Sequence, residues 1–155
     1  MRILLDTNIF ISAALNPTGI PCQAIIHANN NGNIGFISQH SINELDLKMK
    51  TKFPSKANAW NAFFNNLFKI LAVLPTPKRT ISLEQKIRDI NDRPILRAAI
   101  AGKIDIIVTG DKDFLEAAVD YPMIMSPAEF LDYDTSPDNT PKVSEPKIKY
   151  GKSKK

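Results

Sequence analysis

Ile3-Leu4-Leu5 is an apolar run stopped at once by Asp6-Thr7-Asn8, and the pattern returns late in the chain, where Ile106-Ile107-Val108-Thr109 runs into Gly110-Asp111. A short run of large aliphatics without polar alternation marks a strand buried on both faces, as in a parallel sheet covered by helices. Further strand and helix patterns alternate between and around these runs, which predicts βαβ units. Open sheets of that kind collect their functional groups at the carboxyl ends of the strands. Two strands ending in acids therefore predict carboxylates gathered at one rim.

The other elements follow from local signals. Residues 9–15 and 22–28 read as helices, with Pro21 suited to the first turn of the second. Residues 34–37 read as a strand and Ser38 as the N-cap of a helix over 39–52. In the next helix, 56–68, Trp60, Phe63, Phe64, Leu67 and Phe68 recur at three- and four-residue steps, which predicts a core stripe rather than a base-stacking platform. A third strand is expected over 70–74. Asp92 is placed to cap a helix with Pro94 in its first turn. A short helix over 115–119, a strand over 123–125 and a helix capped by Ser126 complete the reading. The expected architecture is a three-layer α/β/α domain over residues 1–132, with a central parallel sheet of about five strands. Residues 133–155, rich in Lys and Pro, are expected to be a disordered tail.

At 155 residues and 43% hydrophobic side chains, the chain can bury one core. It has no apolar run able to span a bilayer and no signal-peptide pattern, so the expected compartment is the cytoplasm and no membrane partner is expected. Cys22 stands alone without a CxxC or Cys/His cluster and reads as an apolar filler. The net charge of +4 is a property of the tail: residues 142–155 hold six Lys and one Glu, leaving −1 on residues 1–141. A near-neutral domain with clustered acids points toward cation binding at least as much as toward a bare phosphate-binding surface.

Those acids are Asp6, Glu44, Asp92, Asp111 and Asp113. Gathered at one rim they repel one another unless cations neutralise them. Oxygen ligands favour Mg²⁺ or Mn²⁺, and a lone cysteine with two scattered histidines makes no zinc set. Carboxylate-held cations can activate water and stabilise the entering and leaving oxygens of a phosphodiester displacement. Plain readings stand beside this one: Asp92 as an N-cap, Asp113 as a turn residue, Glu44 as a surface glutamate. Asp6 and Asp111 are harder to explain so, since each closes an apolar strand where structure needs no acid.

Leu5-Asp6-Thr7-Asn8, Ser38 followed by Glu44-Leu45, Arg88-Asp89 with Asp92 before Pro94-Ile95-Leu96, and Val108-Thr109-Gly110-Asp111-Lys112-Asp113-Phe114 together resemble the PIN-domain family. Their order and spacing most resemble the branch described as toxin components of bacterial toxin–antitoxin systems. The resemblance implies a Mg²⁺- or Mn²⁺-dependent nuclease, usually acting on RNA. Asp6, Glu44, Asp92 and Asp111 would be its acidic quartet, Asp113 an auxiliary metal ligand, and Asn8 and Thr109 site-orienting residues. It also implies an antitoxin protein as partner and a homodimer. Where such relatives carry acids on both sides of the third position, this chain has Asn91 and Arg93, which lowers the local negative charge. Lys48, Lys50, Lys52 and the lysines of 142–155 are candidate phosphate contacts, with plain surface solvation as the alternative.

Other readings are a PIN module that binds RNA or protein without cleaving, and an RNA-processing nuclease that is not a toxin. The binding module would be signalled by loss of one of the acids, and none is lost. A haloacid-dehalogenase phosphatase needs a second aspartate two places after the first, where Asn8 stands. A receiver domain wants adjacent early acids and a lysine after a late strand, whereas Lys112 lies inside the acidic turn.

Overall fold

The structure, a computed structural model, describes residues 1–133 together with Thr135 and Asp138. Its strands are β1 (Arg2–Leu5), β2 (Ile34–Ser38), β3 (Ala72–Leu74), β4 (Ile106–Val108) and β5 (Met123–Met125). They form one parallel sheet in the order β3-β2-β1-β4-β5. The two apolar runs seen in the sequence lie side by side at its centre, with Ile3 opposite Ile106 and Leu5 opposite Val108. The strand order reverses at β1, so the crevice between the ends of β1 and β4 is the switch point where such sheets bind ligands.

The helices are α1 (Thr7–Leu15), α2 (Ile20–His27), α3 (Gln39–Lys52), α4 (Ala57–Phe68), α5 (Arg93–Ala101), α6 (Lys112–Leu115) and α7 (Pro127–Asp132). Alternation along the strands divides the core into two layers. Ile3, Leu5, Ile37, Ile106 and Val108 pack with buried residues of α1, α2, α3, α4 and α7, including Phe10, Ile25, Leu45, Phe64 and Phe130. Leu4, Phe36 and Ile107 face the other way, onto Ile95, Leu96 and Ala99 of α5 and Phe114 of α6. This is the expected three-layer α/β/α fold. Trp60, Phe64 and Leu67 of the aromatic stripe are buried, and Phe63 and Phe68 pack against the same layer.

Two expectations are corrected. The third strand starts at Ala72, not at residue 70, because the turn after α4 continues the helical winding: the Ile70 amide donates to Leu67 O at 3.1 Å and leaves Ile70 half exposed. The helix expected over 115–119 lies instead at Lys112–Leu115, because the Asp111 carboxylate accepts from the Asp113 amide at 2.8 Å and starts it early. Most of the tail lies outside the described residues. Its described beginning packs on the domain: Tyr133 lies against the first core layer, and Asn33 Nδ2 donates to the buried Thr135 hydroxyl at 3.0 Å.

The long connection from β3 to α5 is fastened from inside. Arg97 Nε and Nη2 donate to the Glu84 carboxylate at 2.8 and 3.1 Å, and Arg97 Nη1 donates to Pro77 O at 2.8 Å. Glu84 in turn accepts from the Ile81 amide at 3.2 Å. Both side chains are largely buried, so this two-pronged pair fixes the path that ends at Asp92. Removing one partner strands the other charge in the interior. Glu84→Ala is therefore expected to lower unfolding free energy by roughly 3 kcal/mol in urea denaturation, the lower end for a broken buried pair.

Candidate functional site

Asp6 closes β1 and opens α1. Its amide extends the sheet ladder to Val108 O at 3.0 Å, while its Oδ1 accepts from the Thr7 amide at 2.7 Å as the N-cap of α1. Oδ2 accepts from the Thr109 hydroxyl at 2.7 Å. The carboxyl group is only 2% exposed. Burial pushes its pKa up to about 6, against the lowering effect of the Thr109 and Thr7 hydrogen bonds, and the neighbouring charges of Glu44 and Asp111 add to the rise.

Thr109, fully buried just beyond β4, joins the two strand-ending acids: its Oγ1 also accepts from the Asp111 amide at 3.1 Å. Glu44 reaches the site from α3. Its Oε1 takes the Thr7 hydroxyl at 3.1 Å and lies 2.9 Å from His40 Nε2, while Oε2 is 3.8 Å from Lys48 Nζ. Burial raises the Glu44 carboxyl, but the hydrogen bond and charge of His40, with Lys48 and Thr7, outweigh it and hold the group below its ordinary value. Behind this pair the Ser41 hydroxyl lies 2.9 Å from that of Thr7 and 3.0 Å from that of Ser38, the N-cap of α3.

Asp92 does not do what its position in the sequence suggests. It ends a 3-10 turn, Ile90–Asp92, with helical backbone angles, and no helix amide donates to its side chain. Pro94 stands where an N-cap would find one of its donors. Asp89 caps the 3-10 turn itself, accepting from the Asn91 amide at 2.9 Å. The Asp92 carboxyl faces Asp111 instead. Burial, a hydrogen bond with Asp111, and the charges of Asp6, Asp111 and Asp89 push it up to about 7. That hydrogen bond exists only while the pair holds a proton, and Oδ2 of Asp92 is buried without a partner.

The structure thus brings Asp6, Glu44, Asp92 and Asp111 to one rim, close enough to perturb one another. Asp113 stands beside them but is turned to Arg88, 3.8 Å away. Asn8 is exposed at the mouth and accepts from Lys48 Nζ at 3.3 Å. Lys50 is paired with Asp46 at 2.8 Å on the solvent side, and Lys52 is exposed near the end of α3. His40 belongs to the site and was not among the sequence candidates. Its spacing of one helical turn from Glu44 was the available signal. Hydrogen bonding to Glu44 raises its pKa against the effect of burial, and Asn91 O and the charge of Asp92 add to the rise.

Among the described residues, no three His, Cys, Asp or Glu side chains stand close enough to ligate one ion. The chemistry of the donors nevertheless fits a hard divalent cation: they are carboxylate oxygens, two of the acids hold protons unusually tightly, and one buried oxygen lacks a partner.

A sequence profile of the PIN domain matches residues 2–113, the stretch that carries every one of these acids. The chain belongs to the PIN domain family. A curated relative, the uncharacterized protein MJ1680 of Methanocaldococcus jannaschii, is 28% identical over 118 residues, 74% of each chain. Among solved structures, this PIN domain resembles a chain of VapBC2 from Rickettsia felis bound to a DNA fragment from their promoter. The TM-score is 0.62 at 19% identity, over 81% of this chain and 98% of that one. It also resembles a chain of DNA-bound VapBC from Salmonella typhimurium, with a TM-score of 0.61 at 17% identity over 82% and 98%. PAE2754 from Pyrobaculum aerophilum gives 0.52 at 17% identity over 85% and 88%. No helix among the described residues is long and apolar enough to cross a membrane.

The raised carboxyl groups make stability fall with pH. Between the ordinary aspartate value near 4 and the folded values of about 6 and 7, the folded PIN domain binds more protons than the unfolded chain. Stability in EDTA is therefore highest near pH 4 as far as these groups are concerned and declines until about pH 7. The Asp6 share of that decline is on the order of 3 kcal/mol. Urea denaturation of Asp6→Asn across this range is expected to show a shallower decline, and parallel curves for the two proteins would contradict it.

Proposed function

We propose that this PIN domain is a Mg²⁺- or Mn²⁺-dependent endoribonuclease that hydrolyses RNA phosphodiester bonds, and that it serves as the toxin of a toxin–antitoxin pair. The observation that carries the nuclease reading is the convergence of Asp6, Glu44, Asp92 and Asp111 at the switch point, with Asp6 buried and an Asp92 oxygen left without a donor. Such a cluster opposes stability, and a cation removes the conflict. In this reading these acids hold the cation, with Asp113 as an auxiliary ligand. The bound cation supplies Lewis-acid stabilisation of phosphate charge and a more acidic water.

The protein's own groups then have distinct tasks. Thr7 and Thr109 fix both oxygens of Asp6, so the central carboxylate is oriented before substrate arrives. His40 and Lys48 steady Glu44, and Lys48 with Asn8 stands where a phosphate of the bound strand can be met. Lys50, Lys52 and the lysines of 142–155 are proposed as sequence-independent phosphate contacts. The order of the sequence motifs and the fold likeness to VapBC chains favour the toxin role, and with it an antitoxin partner, a homodimer and a cytoplasmic location.

The test is cleavage of a labelled single-stranded RNA with Mn²⁺, Mg²⁺ or EDTA. Cutting is expected to need the metal. Asp6→Asn should lose at least ~100-fold, while Thr109→Val, which removes only an orienting hydroxyl, should lose roughly 10- to 100-fold. Activity unchanged in Asp6→Asn would expose a contaminating nuclease, and RNA binding without cleavage would assign the domain to recognition instead.

A further inference from the structure

We propose that the open cleft of about 600 Å³ between the start of α3 and the end of β3 is a nucleobase subsite, which selects the nucleotide beside the scissile phosphate. The inference rests on the nuclease reading above and deepens it. The cleft is lined by Gln39, His40 and Asn43 on one side and by Val73, Pro75 and Thr76 on the other. Its volume is within the range of ligand sites, ~300–1,000 Å³.

Its position comes from His40. The imidazole that lines the cleft is also 2.9 Å from Glu44 Oε1 and 2.9 Å from the carbonyl of Asn91, the residue before Asp92. The cleft and the acidic rim therefore share a wall. A strand with one phosphate at the acids has its adjoining base within reach of the cleft.

Its chemistry suits a base rather than a phosphate. The lining contains no Lys, Arg, Asp or Glu. Gln39 Nε2 donates to Asn43 Oδ1 at 3.0 Å, which leaves the Gln39 carbonyl and the Asn43 amino group without protein partners among the described residues. An acceptor and a donor held together in this way can pair with the edge of an unstacked base. Val73 and Pro75 are exposed apolar surface, and with the His40 ring they offer what the face of a base packs on. The two sides are pinned together, since the His40 amide donates to the Thr76 hydroxyl at 3.1 Å. Binding there requires little ordering of the protein.

The experiment is equilibrium binding of short labelled A, C and U oligoribonucleotides to the full chain in Ca²⁺, followed by fluorescence anisotropy, with RNA integrity checked on a gel. The native protein is expected to prefer one base by about 10-fold, and both Gln39→Ala/Asn43→Ala and Val73→Lys to bring the three affinities within about 3-fold of one another. All of these side chains are exposed, and circular dichroism verifies that each variant is folded. A preference that survives both variants, equal binding of the three RNAs by the native protein, or no RNA binding at all overturns the subsite. A protein segment seated on Gln39 and Val73 while base preference stays intact does the same. Base-selective binding without metal-dependent cleavage would keep the subsite and sink the nuclease reading, and cleavage by a protein that shows no base preference would do the reverse.

Discussion

The buried carboxyl group of Asp6, gripped by the Thr7 amide and the Thr109 hydroxyl, is the constraint around which the rest of the site is arranged. It sits where β1 becomes α1 and where β1 meets β4, so one side chain caps a helix, bridges two strands and faces the crevice of the sheet. Burial would ordinarily favour the neutral acid, and the two hydrogen bonds oppose that only in part. The group is thus poised between protonation states near neutral pH. Asp92, facing Asp111, repeats the conflict beside it. A domain that keeps such a cluster gives up stability in the absence of a counter-ion, which is the usual mark of a site arranged for a ligand rather than for the fold.

The sheet and its central acids were legible because their signals are local. Ile3-Leu4-Leu5 and Ile106-Ile107-Val108 are too apolar to face water, and the aspartates that follow them inherit the strand ends. Ser38 and Ser126 were readable as caps for the same reason, and both accept the expected amides, from Ser41 and Glu129. Asp92 holds the expected position before α5 but makes no capping hydrogen bond, because the 3-10 turn before it, which leaves no mark in hydrophobic periodicity, sets its backbone in the helical region. The early start of α6 was hidden by its length, since an element of one turn has no periodicity to detect.

His40 was missed for a different reason. A single histidine in the first turn of a helix means little until the fold decides what stands beside it. Here that is Glu44 one turn along the same helix and the Asn91 carbonyl brought in from the connection to α5. That connection holds its course through the buried Glu84–Arg97 pair, whose two residues flank Asp92 in the sequence. The site is therefore built from strand ends that the sequence announces and from a crossing segment whose course only tertiary contacts fix.

The measurement that tests this account most directly is calorimetric titration of the protein with Mn²⁺ in buffers of different ionisation enthalpy, at pH 6 and at pH 8. If Asp6 and Asp92 hold protons in the metal-free protein near neutrality, binding at pH 6 releases protons and binding at pH 8 releases far fewer. Binding with no proton release at pH 6, or no Mn²⁺ binding at either pH, would contradict the claim that this cluster is a protonated cation site.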